Sequence, residues 1–149
     1  MLVNERLWSD AGYYSDALRE SGEVSAVLSP ASFMPLYVGI ASREQAEAMA
    51  RVAEVSFEGK MPTVSFDNPE YSTDYWRGPT WLNVAYFAAK GLKNYSLPIA
   101  DVIKENILNM CHAEKRGIFE NYDSRTGEGL CCSRFSWSSV FIIEFILNF

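Results

Sequence analysis

Apolar residues recur along this chain with a helical rather than a strand period. Ser42-Arg43-Glu44-Gln45 carries the serine and glutamine of a capping box. After it, Ala46, Met49, Ala50 and Ala53 fall at i, i+3, i+4 and i+7, which predicts a helix buried along one face. Pro79 to Leu92 reads the same way, with Pro79 in the first turn, Trp81, Val84, Ala85 and Ala88 on one face, and Gly91 near the end. Ser96 and Pro98 open another helix, whose stripe is Ile99, Val102, Ile103, Ile107 and Met110. Trp137 to Leu147 is apolar almost all round, broken mainly by Glu144. That predicts a core helix, too short for the ~18–20 apolar residues of a membrane span.

The remaining segments are less periodic. Glu5 to Leu18 reads as mostly helical with a break at Gly12, Ser21 to Pro30 as a loop, and Ala31 to Ile40 as a short helical element containing Pro35. Ser56 to Thr73 holds Gly59, Pro62, Asn68 and Pro69 and no helical period. A loop of that length is commonly functional, and Phe57, Phe66 and Tyr71 give it something to pack with. Glu120 to Cys132 reads as a second long loop. No two-residue alternation bounded by hairpin turns appears. The expectation is an all-α chain, residues 1–149 in a single domain, with about six helices paired antiparallel and the long loops gathered at one end.

Composition narrows the function classes. The 149 residues are 48% apolar and 14% aromatic, which excludes disorder and favours aromatic-lined surfaces. A net charge of −6 with scattered basic residues argues against nucleic acid as a partner. Cys111, Cys131 and Cys132 are an odd count without a Cys-x-x-Cys, and the single His112 cannot build a zinc site by spacing. His112 reads as a structural residue near a helix end. With no basic n-region or apolar h-region at the start, the expected setting is reducing and cytoplasmic. No metal or organic cofactor and no membrane partner is expected.

The candidate chemistry lies in Asp74-Tyr75-Trp76-Arg77-Gly78-Pro79-Thr80-Trp81. Aromatic faces stack on pyranose C–H faces, and an arginine fork binds hydroxyls or carboxylates. The same residues could equally form a half-buried aromatic corner with Arg77 paired to an acid. A second stretch, Glu120-Asn121-Tyr122-Asp123-Ser124-Arg125-Thr126-Gly127-Glu128-Gly129, leads to Phe135-Ser136-Trp137. Together the Tyr-Trp-Arg-Gly-Pro-x-Trp, Glu-x-Tyr-Asp-x-x-Thr-Gly-x-Gly and Phe-Ser-Trp patterns resemble the trehalase-like glycoside hydrolases. The resemblance runs from about Leu7 to Phe145. It is closer to family 63, with its processing α-glucosidases and glucosyl- or mannosylglycerate hydrolases, than to the family 37 trehalases.

That resemblance implies part of an (α/α)6 toroid, roughly its C-terminal half. It also implies an inverting, exo-acting α-glycosidase chemistry on an α-linked gluco- or manno-saccharide or glycoside. It makes Glu120 the general base, with the adjacent Asn121 and Tyr122 able to help it hold a water. Trp76, Trp137 and Tyr75 would line the sugar, with Arg77 on its hydroxyls. Glu128, seven residues before Phe135, takes a hydroxyl-binding role by likeness to the trehalases. Asp16 follows from a Trp…Gly-x-Tyr-x-Asp segment that the families share, and a helix-end hydrogen bond is the other reading for it. The families' general acid is an Asp in an earlier Glu-Ser-Gly-x-Asp-type segment. Its only echo here is Glu20-Ser21-Gly22-Glu23, so the chain is expected to be weak or inactive alone. The alternative is a non-catalytic helical sugar-binding or assembly module. The all-round apolar terminal helix further predicts association, as a two-fold dimer or with an acid-bearing N-terminal half.

Overall fold

The computed structural model describes residues 2–149. Six α-helices and a two-stranded sheet follow one another as α1 (Leu2–Arg6), a 3₁₀ turn (Pro30–Phe33), α2 (Met34–Tyr37), α3 (Arg43–Val55), α4 (Leu82–Asn94), α5 (Ile99–Ala113), β1 (Phe119–Tyr122), β2 (Gly129–Ser133) and α6 (Ser136–Leu147). The fold is therefore mostly helical but not all-α.

Helix α4 is the centre. Leu82, Ala85, Ala88, Ala89 and Leu92 are buried along it, and α2, α5 and α6 all pack on it. Its apolar face is built of small residues, so neighbouring backbones come close. At Gly91 a Cβ would sit 2.8 Å from the Tyr37 amide nitrogen and 3.2 Å from the Phe33 carbonyl. A mid-helix glycine ordinarily destabilises by about 0.5–1 kcal/mol relative to alanine; here it admits α2. The capping box on α3 forms as the sequence predicts: Gln45 N donates to Ser42 Oγ at 3.2 Å and Ser42 N to Gln45 Oε1 at 2.8 Å. Ala46, Met49 and Ala53 are buried and Ala50 partly so.

Three local expectations fail, and a fourth, that α6 is a core helix, holds only at Ser138 and Phe145, its other apolar side chains being partly or largely exposed. Glu5 to Leu18 is helical only to Arg6. Beyond it the chain turns at Gly12 (φ 83°) so that Trp8 pairs with Tyr14, and both the amide and the hydroxyl of Ser9 bond to the Tyr13 carbonyl at 2.9 Å. The helix predicted from Pro79 begins at Leu82, because Thr80 is committed elsewhere: Thr80 N donates to the Tyr122 carbonyl at 2.8 Å, and the Thr80 carbonyl accepts from Tyr122 N at 3.0 Å. Thr80 also pairs with Pro62, so Pro62, Thr80, Tyr122 and Gly129 form one row across four segments.

The third failure is the Glu120–Cys132 loop, which is an antiparallel β-hairpin. Its turn chemistry is conventional. Asp123 Oδ1 accepts from Arg125 N and Thr126 N, each at 2.8 Å, and Gly127 takes the left-handed conformation at φ 78°. The periodicity is hidden because β1 buries Phe119, Asn121 and Tyr122 together, so no polar–apolar alternation exists to read. Beside the turn end of the hairpin, Glu114 accepts from Arg116 Nε at 2.9 Å and from Gly129 N at 3.0 Å.

The Arg116 side chain and backbone amide, with the Gly129 amide, hold the Glu114 carboxyl down to about 2 from 4.5. A depressed folded-state pKa contributes stability above the unfolded value. That contribution is lost as pH falls through about 4.5 toward about 2. Glu114→Gln is expected to flatten this part of the acid-unfolding profile, read by circular dichroism between those pH values. Coincident wild-type and variant acid slopes would refute it.

Candidate active site

A buried hydroxyl network fixes where the two motif stretches meet. Thr80 Oγ1 and Ser124 Oγ lie 2.7 Å apart, and they reach the carbonyls of Lys60 (2.9 Å) and Gly78 (2.8 Å). Thr63 Oγ1 accepts from Gly78 N at 3.0 Å and donates to the Pro79 carbonyl at 3.1 Å. Gly78 has no room for a side chain, because a Cβ there would overlap the Ser72 carbonyl oxygen. These contacts pin residues 78–80 to the hairpin and leave residues 72–77 as a tight loop, closed by Ser72 N to the Arg77 carbonyl at 2.8 Å.

At the tip of that loop Tyr75 is left-handed, φ 42°. Such a conformation costs roughly 1–3 kcal/mol for a non-glycine residue and persists only where the surroundings over-determine it. Tyr75 is held at both ends. Its carbonyl accepts from Trp81 Nε1 at 3.1 Å, and its hydroxyl donates to Glu120 Oε1 at 3.2 Å. Partial burial and the Glu120 carboxylate push the Tyr75 phenol above its usual range.

Trp81 is the hub of an aromatic wall. It is 2% exposed and stacks against Trp76 with centroids 3.8 Å apart and planes 12° apart. Tyr75 meets it edge-on at 5.0 Å and Trp137 at 6.1 Å. Tyr75, Trp76 and Trp137 remain 50%, 39% and 44% exposed, so apolar aromatic surface faces outward beside the carboxylate. Trp137 arrives there because Ser138, in the first turn of α6, donates to the Glu120 carbonyl at 3.1 Å.

Glu120 sits in the middle of β1 and not in a loop. Its neighbours Asn121 and Tyr122 are fully buried, so they do not flank the carboxylate in the way expected of a water-holding pair. Across the hairpin, Phe119 pairs with Ser133 and Asn121 with Leu130, so Cys131 and Cys132 together oppose Glu120 in a β-bulge. Cys131 takes φ 61° there, and Cys132 Sγ donates to Glu120 Oε2 at 3.3 Å. A carboxylate offers about four lone-pair directions. Tyr75 and Cys132 each take one, and the others stay open to a water or a hydroxyl.

Of the residues singled out from sequence, the fold thus gathers Tyr75, Trp76, Glu120 and Trp137. Arg77 points elsewhere and pairs with Glu70. Glu128 is exposed and lies 3.3 Å from Arg116. Asp16 lies in the turn after Tyr14, its carbonyl accepting from Ser25 N at 2.8 Å, and it lines a different hollow with Val3 and Met34. Trp81 closes the candidate stretch in the sequence but is read there as part of a helix face, and Cys132 and Ser138 are not singled out for the site at all. Among the described residues no group of three or more His, Cys, Asp or Glu side chains could hold a metal ion, and no helix is long and apolar enough to cross a membrane.

Known proteins share this fold and much of this sequence. Residues 1–138 match the model of the mannosylglycerate hydrolase MGH1-like glycoside hydrolase domain. The mannosylglycerate hydrolase of Rubrobacter radiotolerans is 34% identical over 98% of this chain and 35% of its own length. The GH63 mannosylglycerate hydrolase of Thermus thermophilus, solved with glucose, superposes with a TM-score of 0.86 at 33% identity, over 97% of this chain and 37% of that one. Its complex with Tris and D-glycerate gives 0.87. A periplasmic trehalase of Escherichia coli is 31% identical over 85% of this chain and 23% of its length. The chain therefore spans about a third of the length of the mannosylglycerate hydrolases named here.

Proposed function

Since this chain belongs to the mannosylglycerate hydrolase MGH1-like glycoside hydrolase domain family, we propose that it carries the base side of an inverting, exo-acting α-glycosidase site. The reading rests on one observation above all: the Tyr75 hydroxyl meets Glu120 at 3.2 Å within the Trp76–Trp81–Trp137 wall. A carboxylate beside stacked indoles, with lone pairs free, suits a base that holds a water under a sugar ring.

In the reaction so proposed, Glu120 takes a proton from water as its oxygen bonds to the anomeric carbon. The glycosidic C–O bond breaks on the other face, and a second carboxyl group about 6.5–9.5 Å from the first protonates the departing oxygen. Glu20-Ser21-Gly22-Glu23 is the exposed tip of a turn, closed by Leu18 N on the Glu23 carbonyl at 2.8 Å, and is not assigned as that acid. The acid instead comes from the remainder of an (α/α)6 barrel, of which this chain corresponds to the C-terminal part. The docking face is α6, where Val140, Ile143, Ile146 and Leu147 are each more than half exposed. An apolar stripe of this kind marks an interaction surface.

Arg77 and Glu128 serve the rim in this reading, and Asp16, which lines a different hollow, is not assigned to it. The Arg77–Glu70 and Arg116–Glu128 pairs are exposed. Such pairs are worth about 0–1 kcal/mol, so a sugar hydroxyl or carboxylate can displace them. The substrate is an α-linked gluco- or mannoside, glycerate being one aglycone to test, and the setting is cytoplasmic.

Titration calorimetry with glucose, trehalose, glucosylglycerate and mannosylglycerate tests the site. Trp76→Ala is expected to weaken sugar binding by about 0.5–1.5 kcal/mol beyond the area lost, and Arg77→Lys to weaken it too, because lysine lacks the planar fork. Isotherms identical to wild type for both variants would remove the assignment.

A further inference from the structure

The bulge in β2 has a chemical result. In a regular hairpin one residue would oppose Glu120. Here two do, and the extra residue re-aims the strand so that Cys131 Sγ lies against the buried Asn121 amide, 3.5 Å from its Nδ2, while Cys132 Sγ turns to Glu120 Oε2. The two thiols therefore have separate partners. They are also poorly placed to join each other, since adjacent Cα atoms are about 3.8 Å apart and disulfides need about 4.4–6.8 Å.

We infer that Cys132 is a positioning residue for the Glu120 carboxylate. The thiol holds Oε2 from β2 while the Tyr75 hydroxyl holds Oε1 from the 72–77 loop, so the plane of the carboxylate is set from two sides before any sugar arrives. A carboxylate held at one oxygen can rotate about its terminal torsion, which is broad and weakly restrained. Donors on both oxygens remove that freedom. Both donors sit at or next to left-handed non-glycine backbone, Tyr75 itself and Cys131 beside Cys132. Two such conformations converging on one carboxylate are what a preorganised site contains. The titratable groups facing this thiol are Glu120, Cys131 and, across the carboxylate, Tyr75. The hydrogen bond to Glu120, followed by partial burial, raises the Cys132 thiol above its usual range. The inference rests on Glu120 being the base, and the experiment separates the two claims.

The thiol reports on the contact without any need for turnover. Iodoacetamide alkylation of the full chain is followed cysteine by cysteine by peptide mass spectrometry from mildly acidic to alkaline pH. The thiolate displaces iodide, a C–S bond replacing C–I, and the thiol proton goes to buffer. Glu120→Gln removes the neighbouring negative charge and is expected to speed alkylation of Cys132 several-fold near neutral pH. Cys111, pushed up to about 11 by burial, stays slow in both proteins and serves as the control. An unchanged Cys132 rate across the pH range would overturn the contact.

The second arm is the carboxyl ¹³C resonance of Glu120, assigned by its loss in Glu120→Gln. Cys132→Ala is expected to shift it and Cys132→Ser, whose hydroxyl can donate to Oε2, to bring it back. A resonance indifferent to Cys132→Ala, or not restored by serine, would refute positioning. Saturating glucose is expected to protect Cys132 from alkylation. Intact thiol–carboxylate coupling with no protection would instead overturn the sugar-site reading of Glu120.

Discussion

Gly78→Ala is expected to lower stability by about 3 kcal/mol or more and to abolish sugar binding, although it adds one methyl group. The new Cβ would overlap the Ser72 carbonyl oxygen and come within 2.9 Å of the Tyr71 ring. Backbone cannot yield as a flexible side chain can, and overpacking alone costs about 1–3 kcal/mol. Relief requires residues 71–72 or 78 to move. Movement at 78 breaks the bonds from Gly78 N to Thr63 Oγ1 and from Ser124 Oγ to the Gly78 carbonyl. Each buried polar group so orphaned adds about 1–3 kcal/mol. Gly22→Ala is the control. Gly22 is left-handed at φ 70° with open space around it, so alanine there meets only backbone strain of about 1–2 kcal/mol. Urea denaturation of the two variants is the measurement, and equal midpoints would show that the Gly78 contact is not tight.

Trp81→Ala is expected to have the other large effect, about 3–5 kcal/mol, as for the loss of a buried large aromatic side chain. Trp81 touches Trp76, Tyr75 and Trp137 and donates to the Tyr75 carbonyl. Its removal therefore empties the wall behind the site as well as the core beneath it. Trp81→Phe separates the two contributions. It keeps most of the packing but leaves the Tyr75 carbonyl without its donor, a loss of about 1–3 kcal/mol, and it frees the left-handed Tyr75 to relax. Near-ultraviolet circular dichroism together with urea denaturation reads both. A Trp81→Ala variant no less stable than Trp76→Ala would contradict the hub role, since Trp76 is 39% exposed and Trp81 only 2%.

What can be read from the sequence is local. The α3 cap and stripe need residues only three or four apart, and both are as predicted. Pro79-Thr80-Trp81 has equally good helical spacing, but Thr80 bonds to Tyr122 and Lys60, and tertiary partners take it out of the helix. Glu5 to Leu18 loses its helix to pairing around Gly12 in the same way. The hairpin cannot be seen as alternation because β1 is buried on consecutive positions and β2 carries an extra residue. The meeting of Tyr75 and Glu120 is foreshadowed by the motif resemblance alone. No periodicity relates positions so far apart. Cysteine number and spacing say nothing of Cys132, whose part depends on a bulge visible only in three dimensions.

The row of Pro62, Thr80, Tyr122 and Gly129 also bears on the order of events in folding. The α-helices draw on near neighbours and can form early. The side-chain bonds that flank the row close chain separations of 16 residues between Thr63 and Pro79 and 44 between Thr80 and Ser124, and such non-local pairing is the slow step in small domains. The carboxylate, its two donors and the indole wall are therefore assembled last, on a helical platform that precedes them. Late assembly does not make the row weak: Thr80 and Tyr122 are fully buried within it, so it is expected to open only together with the core. The amides of Thr80 and Tyr122, bonded to each other's carbonyls, are then expected to exchange with solvent as slowly as those of α4, so the site lasts as long as the folded core does.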